Sequence, residues 1–255
     1  MPLEIVTVPC LSDNYAYLAH DAATDTTAVI DVPEVLPILN ALRDRRWRAS
    51  HILITHHHSD HIAGVEALAA ATGARVIGAA ADAHRLPALD EALVAGDIVR
   101  IGMDEGHVID VPGHTIGHIA FHFPASRAVF TADSLMACGC GRLFEGTPAQ
   151  MWDSLSALAQ LPPETLVCSG HEYTQSNIRF ALSVDTGNPA LQARAARVEV
   201  LRAAGLPTVP VPLSEELATN PFLRASDPAM KASLGMAAAP DAEVFARLRA
   251  MKDRF

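Results

Sequence analysis

The sequence predicts an α/β (α+β) layered sandwich: two β-sheets with helices outside them, followed by a smaller, mostly helical domain. Three observations carry this. Up to about residue 77, short β-like runs alternate with helical segments. From 97 to 131, apolar runs follow one another with only Gly, Pro, Asp or Ser turns between them. After His171, strand-like runs become scarce and helical patterns dominate. The expected division is residues 1–171 as the layered domain and 172–255 as the helical one.

The elements follow in order. Glu4–Val8 and Tyr15–Ala19 read as strands around a Ser12-Asp13-Asn14 turn. Thr27–Val32 is a short apolar run that takes in Asp31. Glu34–Arg46 is helical, with an apolar face of Val35, Leu36, Ile38, Leu39 and Leu42. The His51–Ile54 strand feeds into Thr55-His56-His57-His58. Ile62–Ala71 is a helix ended by Gly73, and Arg75–Ile77 is a strand. The meander comprises Ile98–Ile101, His107–Val111, His118–Phe123 and Ala128–Thr131. Helix Gln150–Leu158 and strand Thr165–Cys168 close the first domain. Gln175–Leu182, Pro189–Ala204 and Ala242–Met251 are helices of the second.

Composition excludes several classes. Half of the 255 residues are hydrophobic and 19% are charged, which excludes a disordered or fibrous chain. The net charge of −10 argues against a nucleic-acid partner. No run of about 18 apolar residues exists, so no membrane span is expected. The first residues carry no basic-then-apolar leader pattern. Cys10, Cys138, Cys140 and Cys168 form no paired zinc spacing, and free thiols in a cytoplasmic protein are expected. The charge is split: residues 1–171 hold 9 basic and 20 acidic residues, and 172–255 hold 10 and 9.

All 12 histidines lie at or before His171, and four of them lie between 56 and 61. Side chains alternate along an extended loop, so His56 and His58 face one way and His57 the other. Asp60 and His61 open the following helix, displaced from that pair. His114, Asp133 and His171 each stand just past an apolar strand, where a rigid scaffold presents functional groups. These seven donors suit two divalent ions if one carboxylate bridges, and the isolated Asp133 is the natural bridge. Imidazole and carboxylate donors take zinc, iron or manganese. His118 reads either as support for the ligands or as core.

The segment Thr55-His56-His57-His58-Ser59-Asp60-His61, followed by His114, Asp133 and His171, resembles the THxHxDH signature of the metallo-β-lactamase superfamily. Within it the chain is similar to the glyoxalase II, or hydroxyacylglutathione hydrolase, family. That likeness rests on Leu11–Leu18, Val111–His118, Gly139-Cys140-Gly141-Arg142, Gly170-His171-Glu172-Tyr173, Asn220–Arg224 and the end from Arg249 to Asp253. It implies an αββα sandwich with a helical glutathione-binding domain. It also implies hydrolysis of S-D-lactoylglutathione and related S-(2-hydroxyacyl)glutathiones to glutathione and D-lactate or another 2-hydroxy acid, the second step of methylglyoxal detoxification. The reagent implied is a metal-bridging hydroxide held by Asp133 and Asp60. Carried over by position, Arg142, Phe144, His171, Tyr173, Arg249 and Lys252 hold the substrate. Phe144 stands where the family often has tyrosine, which removes one hydroxyl from that site. Taken without the resemblance, Arg249 and Lys252 read as solvated charges on a terminal helix.

The expected partner is therefore the glutathione thioester, bound by a monomer. The rival readings are another enzyme of this fold (a lactonase, a β-lactamase or a persulfide dioxygenase) and a non-catalytic metal-binding protein. The Arg142 segment and the Arg249/Lys252 end weigh against the rival enzymes. Dispersed ligands weigh against a metal buffer, which needs a contiguous His- or Cys-rich tract.

Overall fold

A computed structural model of the chain describes residues 1–255. The chain divides into two compact units. The first is Met1–Asp110 with Gly117–Ala132, and the second is Val111–Ile116 with Asp133–Phe255. In this division residues 133–171 group with the C-terminal helices.

The first unit begins with β1 (Glu4–Cys10), β2 (Asn14–Asp21), β3 (Thr26–Ile30), α1 (Val35–Arg45) and β4 (Ala49–Leu53). It continues with α2 (Ser59–Ile62), α3 (Val65–Thr72), β5 (Arg75–Ala79) and β6 (Glu91–Leu93). Strands β1 to β6 form one sheet in sequence order. The β1–β2–β3 part is antiparallel and the β3–β4–β5–β6 part is parallel. The parallel steps need crossovers: α1 supplies the first, α2 and α3 the second, and residues 80–90, with one short 3-10 turn, the third. The meander follows as β7 (Ile98–Ile101), β8 (Asp104–Asp110), β9 (Ile119–Phe123) and β10 (Ala128–Ala132), each antiparallel to the next.

Every residue of β2 is buried, so it serves two faces at once. Ala16 and Leu18 join Ile38 and Leu42 of α1 in one apolar cluster. Tyr17, pointing the other way, meets Phe130 of β10 edge-on at 5.6 Å. The helix expected over Ile62–Ala71 is broken at Ala63-Gly64. The chain there is pressed against the β3–α1 connection: a Cβ on Gly64 would stand 2.7 Å from Val32 Cγ1. Helix α3 ends at Gly73 in the left-handed region, φ 74°, as its sequence indicates. Short β6, between polar turns, has too weak a pattern to read from sequence.

The second unit holds β11 (Leu135–Met136), β12 (Gly139–Cys140), α4 (Pro148–Leu158), β13 (Leu166–Ser169), α5 (Thr174–Val184) and α6 (Pro189–Ala203). Then come β14 (Val211–Pro212), α7 (Leu213–Thr219), α8 (Pro228–Ser233) and α9 (Asp241–Lys252). Thr147 and Gln150 cap α4 reciprocally. Asn188 and Asp227 cap α6 and α8, each followed by proline at the first helical position. Phe222 stacks on Phe180 at 5.9 Å and meets Phe245 edge-on at 5.7 Å. Cys138, Ile178, Ala181, Leu191 and Val198 form a second apolar cluster. No helix is long and apolar enough to cross a membrane.

Candidate metal centre

In the first unit, strand β4 ends at Leu53 and the chain runs extended to α2, where His58 is the N-cap residue. His56 and His61 are fully buried. The rings are held from behind. Asp31, just past β3, accepts from Thr55 N at 2.9 Å and Thr55 Oγ1 at 2.8 Å, and its Oδ2 lies 2.8 Å from His61 Nδ1. Thr55 Oγ1 in turn lies 3.0 Å from His56 Nδ1. A carboxylate and a hydroxyl engaged in this way take the Nδ1 protons of His61 and His56 and leave each Nε2 as a lone pair. His56 Nε2 faces His58 Nδ1 at 3.2 Å. Two ligand atoms on one ion at 2.0–2.1 Å stand about 3.3 Å apart in tetrahedral geometry, so this pair fits a shared cation. Asp60 is aimed by Asn14, whose Nδ2 donates to Asp60 Oδ2 at 3.0 Å and to its carbonyl at 3.1 Å.

The alternation expected of this loop is found. His57 points away from the other rings' partners, with Nδ1 3.3 Å from Asp82. His118 is buried and stacks on His56 at 4.6 Å with its ring nearly parallel. It therefore packs against a candidate ligand, joining the two roles that its sequence position left open.

In the second unit, Asp133 follows β10 directly and His171 follows β13; both are buried, as is His114. His114 Nδ1 donates to the Arg142 carbonyl at 2.8 Å, so its Nε2 also carries the lone pair. Asp133 Oδ2 lies 3.4 Å from His114 Nε2 and 3.3 Å from His171 Nε2. Both separations are those that two donors on one small cation would show, and one carboxylate oxygen shares them. The His114 loop is pinned to the segment after Arg142: Ile116 N donates to Glu145 Oε2 at 2.8 Å, and Phe144 N to the His114 carbonyl at 3.3 Å. Gly141 is obligatory here, since a Cβ would lie 1.9 Å from the Asp133 carbonyl and 2.9 Å from His114 Nδ1.

The second unit also carries every residue expected to meet the substrate's anionic part. Tyr173 stacks on His171 at 4.6 Å and is 40% exposed. Phe144, 61% exposed, sets its ring edgewise on His114 at 5.3 Å. Arg142 is exposed, with Nε 3.7 Å from Asp253 Oδ1. Arg249 is 6% exposed, so a solvated terminal charge does not describe it. Its Nη1 donates to the Cys140 carbonyl at 3.0 Å, its Nη2 meets Asp253 Oδ1 at 2.9 Å, and Phe222 lies under it at 5.1 Å. Lys252 Nζ is half-buried and 3.3 Å from Ser176 Oγ. Burial holds its amine below the ordinary lysine range, and the nearby charges of Arg249 and Arg179 add to this.

The thiols are poor nucleophiles. All four are buried and unbridged. Burial pushes Cys10 and Cys140 up to about 11 and Cys138 up to about 12, and raises Cys168 as well.

Two positioning residues were not singled out by sequence reading. Asp31 carried the same signal as Asp133, an acid just past an apolar strand, and Asn14 stood in a turn motif. Removing Asp31 frees two rings to rotate. Asp31→Ala is expected to lower divalent-ion affinity about 10–100-fold, read by titrating metal-free protein against a competing chelator. An affinity equal to the parent's contradicts that role.

The family of hydroxyacylglutathione hydrolase C-terminal segments matches residues 172–255, and the metallo-beta-lactamase superfamily matches residues 21–171. The hydroxyacylglutathione hydrolase of Cereibacter sphaeroides is 64% identical over 255 residues, covering all of both chains. The chain belongs to the hydroxyacylglutathione hydrolase family. A second hydroxyacylglutathione hydrolase, from Rhodobacter capsulatus, is 62% identical over 257 residues and again covers both chains fully. Among solved structures, ETHE1 from Myxococcus xanthus aligns with a TM-score of 0.59 at 28% identity, over 86% of this chain and 96% of that one. The BLEG-1 B3 metallo-beta-lactamase aligns with a TM-score of 0.67 at 19% identity, over 86% and 99%. At that identity the second likeness shows the metallo-β-lactamase fold alone. A hydroxyacylglutathione hydrolase of this fold is a hydrolase with a divalent-metal centre, and the His/Asp donors described above have the chemistry for it.

Proposed function

We propose that this chain hydrolyses the thioester of S-(2-hydroxyacyl)glutathione, S-D-lactoylglutathione in particular, to glutathione and the 2-hydroxy acid. The observation that carries the mechanism is Asp133 Oδ2, placed 3.4 and 3.3 Å from the Nε2 atoms of His114 and His171. His56, His58, Asp60, His61, His114, Asp133 and His171 would hold two divalent ions, with Asp133 as the donor common to both, zinc by first preference and iron or manganese otherwise. Such ions, when bound, would supply Lewis acidity and bring the pKa of water from about 15.7 towards about 7.

The protein's own groups do the rest. Asp31 and Thr55 fix the histidine tautomers, and Asn14 fixes the carboxylate of Asp60, so the donors need no reorganisation as water attacks the thioester carbonyl. Asp60 and Asp133 are the carboxylates assigned to accept from the attacking water. The departing sulfur of glutathione has a pKa of about 8.5 as a free thiol, so no strong general acid is needed. Arg142, Tyr173, Arg249 and Lys252 take the tripeptide, whose carboxylates suit a guanidinium fork. Phe144 supplies an apolar edge in place of a hydroxyl. One chain carries all of these groups, which supports a monomer. Four unbridged thiols support a reducing, cytoplasmic setting.

The test is a substrate comparison on metal-replete protein. S-D-lactoylglutathione is expected to be turned over far faster than a homoserine lactone or a β-lactam. Cleavage of the lactone or β-lactam without cleavage of the thioester sinks the reading.

The basic end adds a pH signature. Because the Lys252 amine is held below its ordinary value, its charge is lost as pH rises through that lowered value, earlier than for a solvated lysine. KM for the anionic substrate is therefore expected to climb on the alkaline side while kcat stays flat. Lys252→Met is expected to remove that limb. An alkaline limb unchanged in the variant assigns it elsewhere.

A further inference from the structure

The hairpin of β11 and β12 lies just upstream of Arg142, and beyond its own ladder its backbone is gripped by side chains from the C-terminal helical region. The Met136 and Gly139 carbonyls accept from Asn220 Nδ2 at 3.2 and 2.8 Å. The Ala137 carbonyl accepts from Asn177 Nδ2 at 3.0 Å. Cys138 N donates to Glu216 Oε2 at 2.8 Å. The Cys140 carbonyl accepts from Arg249 Nη1 at 3.0 Å. Five consecutive residues are thus each gripped by a side chain.

The grip is unusual in two respects. Cys138 sits in the left-handed region at φ 54°, which a non-glycine residue adopts only when its surroundings over-determine it. The hairpin is also seated tightly, since a Cβ on Gly139 would lie 2.4 Å from Asn177 Nδ2. Behind the grip stands a fully buried ion pair. Glu216 Oε1 accepts from Arg194 Nη2, and Arg194 Nη1 donates to Thr219 Oγ1 at 2.6 Å. Asn220 Nδ2 closes the network on Glu216 Oε2 at 3.0 Å.

We propose that Glu216 and Asn220, braced by Arg194, are positioning residues that set the affinity for the glutathione moiety by fixing where the hairpin delivers Arg142. This rests on the functional reading above. The network touches neither the proposed metal ligands nor the exposed basic groups directly. It acts through the backbone: Gly141 N donates to the Ser134 carbonyl at 3.1 Å at the base of the hairpin, and Arg142 follows at once. A helix cap that looks purely structural would then be a determinant of KM.

The test compares Asn220→Ala with Leu155→Val, a core truncation in α4 that removes no hydrogen bond to the hairpin, chosen to match its loss of thermal stability. Two readouts are taken on metal-replete protein: amide hydrogen exchange of residues 134–142, and steady-state kinetics on S-D-lactoylglutathione. Asn220→Ala is expected to speed exchange in that segment and to raise KM about tenfold with kcat within about threefold, while Leu155→Val does neither. Bound metal per chain is expected to stay at the parent level. If Asn220→Ala does not fold, Glu216→Gln, which keeps the side-chain shape, is read in its place. Equal exchange and KM in the two variants overturn the proposal, as does a fall in kcat that matches the rise in KM. If the parent itself does not hydrolyse the thioester, the functional reading fails with it; exchange alone then decides whether the network holds the hairpin.

Discussion

Asp133→Ala is expected to bind half as much metal as the parent and to lose about a thousandfold in kcat, equivalent to about 4 kcal/mol of barrier. The reason is positional. One oxygen of Asp133 stands 3.4 Å from His114 Nε2, which carries its lone pair, and 3.3 Å from His171 Nε2. In the proposed centre, removing it takes away the donor assigned to both ions and one of the two carboxylates assigned to the attacking oxygen. His114 stays tied to the Arg142 carbonyl, so the fold around the site is retained. Metal analysis and kinetics on the same preparation check both halves. Asp133→Asn, which keeps the shape and an oxygen but not the charge, should fall between the two. Full metal content in Asp133→Ala ends the bridging assignment.

The largest effect on stability is expected at Arg194. Its guanidinium is about 1% exposed and is committed to Glu216 and Thr219. Arg194→Ala leaves the Glu216 carboxylate buried without its counter-ion, which costs about 3–5 kcal/mol. For a chain of this size that is a fall of about 10 °C in Tm. The Arg194→Met/Glu216→Leu double variant should recover only part of the loss. Glu216 also accepts from Cys138 N and Asn220, and leucine leaves those donors unmatched. A Tm for Arg194→Ala within 2 °C or so of the parent contradicts this. Thermal melts with metal held constant make the comparison.

Much of this molecule was legible before any coordinates. The proposed metal ligands could be picked out because four of them crowd one strand–helix junction and three stand alone at strand ends, where apolar pattern gives way abruptly to a polar group. The meander and the long helices announced themselves by period. What escaped is of another kind. Strands β11, β12 and β14 span two residues each, too few for any period; β11 and β12 close a tight hairpin, and β14 pairs with β13 more than forty residues away. Helices α7 and α8 are short and lie in a stretch punctuated by proline and glycine. The split between α2 and α3 depends on Val32 pressing on Gly64, a contact invisible along the chain. Asp31 read as part of an apolar run, and only the fold brings it to His61. Arg249 could be recognised as important, but not as buried: that follows from its carbonyl partner at Cys140, more than a hundred residues away.

The most direct measurement of the central claim is thioester hydrolysis followed through metal removal and return, with metal counted at each stage. Protein purified without added metal is assayed on S-D-lactoylglutathione, stripped with a chelator, assayed again, and then titrated with zinc, iron or manganese. The arrangement of the seven donors predicts two ions per chain in the active protein. It predicts hydrolysis abolished on stripping, and activity that returns as the second ion binds. Hydrolysis that survives complete removal of metal, or full activity with one ion per chain, would contradict the account.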